Sequence, residues 1–338
     1  MNSMKPRRVL IVAAQILVVL CVVLYGGARY LISMPEVSYE GMLPPITQDE
    51  KELADSLKRH VETIAGKERN LAHPYELESA ARYIETTLEK AGLAPKAQAF
   101  TVEGKPVRNI EATIEGRSGG ASPEVLIIGA HYDSAPGSPG ADDNASGTAA
   151  LLELAPRLAA LKGQFGKQIR LVFFANGEPP HFQTAAMGSL RYAQGLAQRR
   201  ERVVAMLALD SIGYYSGAPG SQSHALVMDF LLPSQGDFIG FLARHSSISL
   251  LRQAVGSFRR YTQFPSIGAA GPGFHAGVNG SDHWAFAEQG YPALVITDTG
   301  SYRNPHHRKA ADKPDTLDYE RMARVVKGLE PIIRVVAR

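Results

Sequence analysis

Thiol chemistry is almost absent from this chain of 338 residues, which holds one cysteine, Cys21. That excludes both a disulfide framework and a cysteine-built metal knuckle. Charge of one sign is also scarce. Lys and Arg number 36 against 33 Asp and Glu, a net charge of +3, and no basic block follows "KPRR" near the start. The electrostatic footprint of a nucleic-acid binder is therefore missing. Internal repeats and low-complexity tracts are lacking too. What remains is 45% apolar and 20% charged, enough for one large domain or two modest ones with a proper core.

The most distinctive segment is "VLIVAAQILVVLCVVLY", Val9 to Tyr25, interrupted only by Gln15. It approaches the roughly 20 residues that cross a bilayer. Lys5, Arg7 and Arg8 precede it, so the positive-inside rule puts the N-terminus in the cytoplasm and the rest outside. A cleaved signal peptide competes, because the small residues of "GGARY" follow. The run is long for a signal h-region, so the expectation is an uncleaved single-pass anchor in the cell membrane. Bulky Leu20 before Cys21 argues against a lipoprotein. Residues 1–30 then form the cytoplasmic tip and anchor. Residues 31–46, with Pro35, Pro44 and Pro45, read as a tether, and 47–338 as an exported globular domain.

Thr47 and Glu50 form a capping box, after which Leu53, Leu57, Val61 and Ile64 recur at helical spacing. A second helix is expected from about Tyr75 to Ala91, stopped by Gly92. Further on, "EVLIIGA", "IRLVFFA", "VVAMLALD" and "PALVITD" read as buried strands. "GTAALLELAPRLAAL" and "TLDYERMARVVKGLEPIIRVV" read as helices. Continuous apolar strands separated by helices predict an α/β class: a mostly parallel mixed sheet in a three-layer α/β/α globule. Ligands of such sheets bind beyond the carboxyl ends of the strands. His131 and Asp133, Glu178, Asp210 and Asp298 lie at successive strand ends, and "GADDNASG" adds Asp142 and Asp143 before a helix. A lone Asp there is more often a helix cap than a ligand; several at successive strand ends point to a site. Ser281 or Asp282 reads as another cap, His283 and Trp284 as packing, His306 as a loop residue, and Met206 and Met228 as core.

Taken together, "GAHYDS", "GADDNASGTAALLELA", "EPPHFQTAAMGSLRYA", "LALDSIGYY", "GSDHWAF" and "DTLDYERMARVVKGL" resemble metallopeptidase family 28, from about Thr47 to the C-terminus. These are co-catalytic zinc aminopeptidases, with glutamate carboxypeptidases, glutaminyl cyclases and some non-catalytic receptor domains among their relatives. The resemblance implies two zinc ions at the sheet rim and a peptide or protein as substrate or ligand. His131 and Asp210 would hold one zinc, Asp143 would bridge both, and Glu178 would hold the other. Asp133 would be the catalytic-centre carboxylate that supports His131.

Two positions depart from that pattern. Where the family carries a Glu-Glu pair this chain has Gly177-Glu178, so the general base is missing. The ligand histidine of the C-terminal phrase falls on Arg308, with His307 one residue early, and a guanidinium offers no lone pair to a metal. Arg308 is therefore expected to face Glu178 and Asp143 in place of one zinc, leaving one zinc bound. Restoring glutamate at 177 and histidine at 308 together is expected to rebuild the second metal position. Two readings stand side by side: an active exopeptidase with a modified mechanism, or an impaired homologue that binds or scaffolds.

Overall fold

The computed structural model describes residues 6–117, 123–224, 231–273 and 278–338. Its centre is an eight-stranded mixed sheet in the order β1-β2-β4-β3-β5-β8-β6-β7. The strands are β1 (Lys96–Val102), β2 (Lys105–Ile114), β3 (Glu124–His131), β4 (Gln168–Phe174), β5 (Arg202–Leu209), β6 (Ile239–Arg244), β7 (Ser266–Gly271) and β8 (Ala293–Thr297). The inner strands β4, β3, β5 and β8 run parallel, as their continuous apolar text predicts. β2 joins β4, and β6 joins β8, in antiparallel register, while β6 and β7 are parallel.

The helices are α1 (Pro6–Ile32), α2 (Gln48–Ile64), α3 (Pro74–Lys90), α4 (Gly147–Ala159), α5 (Gly188–Gln198), α6 (Ile248–Tyr261), α7 (His283–Glu288) and α8 (Tyr319–Val336). Alternation along β3 divides the core. Leu126, Ile128 and Ala130 join the apolar faces of α2, α3, α4, α6 and α8 on one side. Val125 and Ile127 pack with Leu190 of α5 and Phe286 of α7 on the other. α2 starts at the expected capping box, with Thr47 and Glu50 each bonded to the other's backbone N–H. Gly92 turns the chain after α3 with φ +77°, a conformation that other residues adopt only with strain. Met206 is buried; Met228 lies outside the described residues.

The apolar N-terminal helix extends past the expected run, to Ile32, and its Leu10–Ile32 stretch is long and apolar enough to cross a membrane. The proline-bearing segment after it lies against the domain. Arg259 of α6 donates to the carbonyls of Pro35 (3.3 Å) and Glu36 (2.8 Å). Ser38 Oγ accepts from the Ser266 N–H at 2.9 Å, and the Glu36 carboxylate pairs with Arg260. Tyr30, in the last turn of α1, lies under the Arg252 guanidinium, 4.4 Å from ring centre to carbon.

Candidate metal centre

β3 ends in His131, and its imidazole sits among carboxylates. Nε2 is 3.3 Å from Asp143 Oδ1 and 3.7 Å from Asp210 Oδ2. One ligand atom from each of the three lies within 4.8 Å of the others. Both Asp143 oxygens are buried with no hydrogen-bond partner, an arrangement too expensive to leave uncompensated. A cation among these atoms removes the expense, and one imidazole nitrogen with two carboxylates suits zinc. Burial alone would lower the pKa of His131, but Asp133, Asp143 and Asp210 outweigh it and raise it well above the ordinary value. Burial alone would raise Asp143; His131, His307 and Arg308 hold it below the ordinary carboxylate range.

The loops that aim these groups are fixed by hydrogen bonds to carboxylates. Asp143 lies in a wide turn, Ala141–Ser146, that leads into α4. Asp312 accepts from the N–H of Asp142 (2.8 Å) and of Asp143 (3.2 Å). Asn144 donates to Leu209 O at 2.8 Å and accepts from Gly147 N and Ser211 N, tying the turn to the end of β5. Asp142 points away from the metal-competent group: it accepts from Gly213 N (3.0 Å) and Asn304 Nδ2 (2.8 Å). Beneath the turn Arg69 is fully buried, with Nε 2.6 Å from Tyr132 O, Nη2 3.0 Å from Gly140 O and Nη1 on Pro139 O. Burial pushes its pKa down to about 10 against the pull of Asp133 and Asp312.

Asp133 divides its attention. Oδ1 accepts from Gly177 N at 2.8 Å and Oδ2 from Glu178 N at 3.2 Å, so it clamps the loop after β4. Its nearest approach to His131 Nδ1 is 3.4 Å, longer than a hydrogen bond of ordinary length. The His131 ring rests on the backbone at Gly177, where an added Cβ would come within 2.4 Å of the imidazole Cγ. The absent side chain at 177 is thus a condition of where His131 sits. This corrects the expectation that glutamate at 177 can simply be restored.

Glu178 stands outside the three-residue group and meets a cation instead. Arg308 Nη2 lies 2.7 Å from its Oε2, and Arg308 Nε lies 3.4 Å from Asp143 Oδ2. The convergence of Arg308 on these two carboxylates is the one expected from the sequence. Burial and the neighbouring Asp143 push Glu178 up, and Arg308 is the first group to oppose them. Burial would lower Arg308, but Glu178 and Asp143 hold its proton more firmly than usual. His307 Nδ1 approaches the same Asp143 oxygen, at 3.4 Å.

Arg69, Asn304 and Asp312 carry no motif that singles them out in sequence. Asp298 accepts from Tyr214 N and Gly300 N, each at 2.8 Å, and stays outside the metal-competent group. Of the two expected caps, Ser281 and Asp282, Asp282 takes the N-cap position of α7, but neither side chain makes a capping bond. The Asp282 carboxylate is buried without a hydrogen bond, and burial pushes its pKa up to about 7. His283 is packed as expected, 2.8 Å from Val278 O, and burial pushes it down to about 4. His306 meets the Tyr214 ring edge-on.

The sequence model of peptidase family M28 matches residues 109–332. The chain is 38% identical over 262 residues to the uncharacterized protein YfbL of Escherichia coli strain K12, covering 75% of this chain and 78% of that one. It is 26% identical to leucine aminopeptidase 1 of Trichophyton rubrum over 68% of this chain, and spans 58% of that protein's length. Among solved structures, the aminopeptidase from Aneurinibacillus sp. strain AM-1 superposes with a TM-score of 0.65 at 16% identity, over 86% of this chain and 96% of that one. A Porphyromonas gingivalis glutaminyl cyclase superposes with a TM-score of 0.60 at 20% identity, over 83% and 97%. These two likenesses concern the fold.

Gly177→Ala should displace the imidazole and weaken zinc binding by about 10–100-fold, the usual effect of disturbing a ligand's support; competition with a chromogenic chelator measures this, and unchanged affinity refutes it. Arg308→Met should destabilise the fold in urea by about 1–3 kcal/mol, below the 3–5 of a fully buried pair because the Arg308 side chain is 38% exposed. Adding Glu178→Met should recover most of that loss.

Proposed function

Because this chain belongs to peptidase family M28, we propose that it is a membrane-anchored, aminopeptidase-like protein whose exported domain binds one zinc ion and turns over peptides very slowly. The observation that carries the reading is the Arg308 guanidinium, 2.7 Å from Glu178 and 3.4 Å from Asp143. It holds two carboxylates that the resemblance assigns to a second zinc. His131, Asp143 and Asp210 would hold the remaining ion. Zinc bound there supplies Lewis acidity toward a carbonyl.

The chain's own residues restrict proton transfer at this site. Gly177 has no side chain to accept a proton, and loss of a general base costs typically about 10²–10⁴-fold in rate. Glu178 is engaged by Arg308 and is not free to replace it. His307, 3.4 Å from Asp143, could move a proton or complete a ligand set. Leucine aminopeptidases among the relatives make the N-terminal end of a peptide the favoured substrate or ligand. An impaired site also suits a protein that binds peptide ends without cleaving them.

The domain division belongs to the same reading: an anchor, a short stem from about residue 31 to 46, and the catalytic-type domain beyond it. The span Leu10–Ile32 has a mean hydropathy of 2.5, and its most apolar window is not buried by the rest of the chain. With Lys5, Arg7 and Arg8 before it, the N-terminus is cytoplasmic and the domain lies outside.

Elemental analysis after dialysis should find no more than one zinc per chain, and hydrolysis of aminoacyl nitroanilides should be at least about 100-fold below that of a two-zinc aminopeptidase. Two tightly held equivalents, or ordinary turnover, refute the reading. A phosphatase reporter fused after Arg338 should be active only when exported; activity of a cytoplasm-dependent reporter at that position would reverse the topology.

A further inference from the structure

On the face of the sheet that carries α5 and α7, those helices cover the strands only as far as β8. Beyond it, over β6 and β7, lies a cavity of about 680 Å³. One end is polar, formed by Asp143, Asp210, Ser211, His307 and Arg308 of the candidate metal centre. Its middle is apolar, with Leu242, Ile267, Ala269, Val278 and Val295 in the walls. The far wall is made by Ala28 and Leu31 of α1.

That last contact sets where the cavity stands. The apolar stretch Leu10–Ile32 has 23 residues, about 34 Å at 1.5 Å per residue, against roughly 30 Å of hydrocarbon. Ala28 and Leu31 therefore lie in its outermost turns, at the surface of the bilayer. The bonds from Arg259 to Pro35 and Glu36, and from Ser266 to Ser38, hold the domain against this end of the helix. In that topology the cavity, whose walls also carry Gln222, Ser223, Thr297 and Tyr302 among the apolar side chains, lies between the end of α1 and the polar site of Arg308 and His307. The space is in the range of sites that enclose an entire small ligand, far more than one amino-acid side chain fills.

We propose that this cavity binds a long-chain carboxylate taken from the outer leaflet, its aliphatic chain along Leu242, Ile267 and Ala269 and its carboxylate at Arg308 and His307. The proposal rests on the anchored topology of the proposed function but not on its zinc count. Arg308 gives the head its preference: its Nη2 and Nε face Glu178 and Asp143, but a guanidinium carries five N–H donors, and with the side chain 38% exposed those left over are available to a ligand carboxylate. The chain gives the length preference, since each methylene moved from water to an apolar wall adds to binding.

The test uses the full chain in phosphatidylcholine nanodiscs, with empty nanodiscs as the blank, titrated calorimetrically with sodium dodecanoate. Binding should be saturable near one per chain, and hexanoate should bind at least about tenfold more weakly. Ala269→Trp, which fills the middle of the cavity, and Ala28→Trp, which narrows its membrane end and cannot unfold the sheet, should each weaken dodecanoate at least tenfold. Arg308→Gln should remove the preference for dodecanoate over dodecyltrimethylammonium. Equal binding of hexanoate and dodecanoate, or full binding by both tryptophan variants, overturns the proposal. Zinc measured on the same samples keeps the two readings apart: one equivalent without dodecanoate binding defeats only this inference, and two equivalents with chain-length-dependent binding defeat only the one-zinc function.

Discussion

A carboxylate held under a protein surface needs positive charge close by, and Asp143 is such a carboxylate. It is buried, neither oxygen accepts a hydrogen bond, and its backbone N–H is held by Asp312. Everything around it answers that need. His131 approaches one oxygen, Arg308 and His307 the other, and Asp210 completes a group in which a divalent cation fits. The same requirement explains Arg69, a guanidinium with only carbonyl partners whose charge is balanced at a distance by Asp133 and Asp312. The site is better described as a balance of charges around one fixed carboxylate than as a row of independent ligands.

Much of this was legible in the sequence, and for physical reasons. The inner strands are buried on both faces, so their apolar text is continuous and hard to mistake. β3, β4, β5 and β8 were read directly from it, and with them the strand-end positions of His131, Glu178 and Asp210. Thr47 and Glu50 announced α2 because a capping box is a local motif. The outer strands were not read. β1 shows an exposed face in its burial pattern, and β7 is built of Ser, Gly and Ala around a single Ile, compositions that also suit turns. Arg69 and Asp312 were missed because they act through backbone carbonyls and N–H groups, a role that leaves no trace in spacing.

The reading of Gly177 shows where sequence reasoning stops. An absent glutamate looks like a deletion of function that one substitution could reverse. In three dimensions the empty position is filled by the imidazole of His131, within 2.4 Å of where a Cβ would stand. Two neighbouring sites, the glycine and the histidine, have a joint geometry that neither reveals alone. Arg308 is the opposite case: its partners are set by opposite charge, and charge is visible in a sequence.

The bonds between α6 and the stem have a kinetic meaning as well. A domain on a loose leash samples a hemisphere of orientations and meets solutes from all sides. Here Arg259 grips the carbonyls of Pro35 and Glu36 within a few residues of the last turn of α1, which leaves little slack for swivelling. In the anchored topology proposed above, encounter would then become largely a two-dimensional matter. Molecules diffusing in the plane of the bilayer would arrive at a fixed height and in a narrow range of approach angles, while bulky folded proteins from the bulk would have to contend with the membrane as a floor. A short, docked stem would thus select partners by altitude before any side chain has touched them.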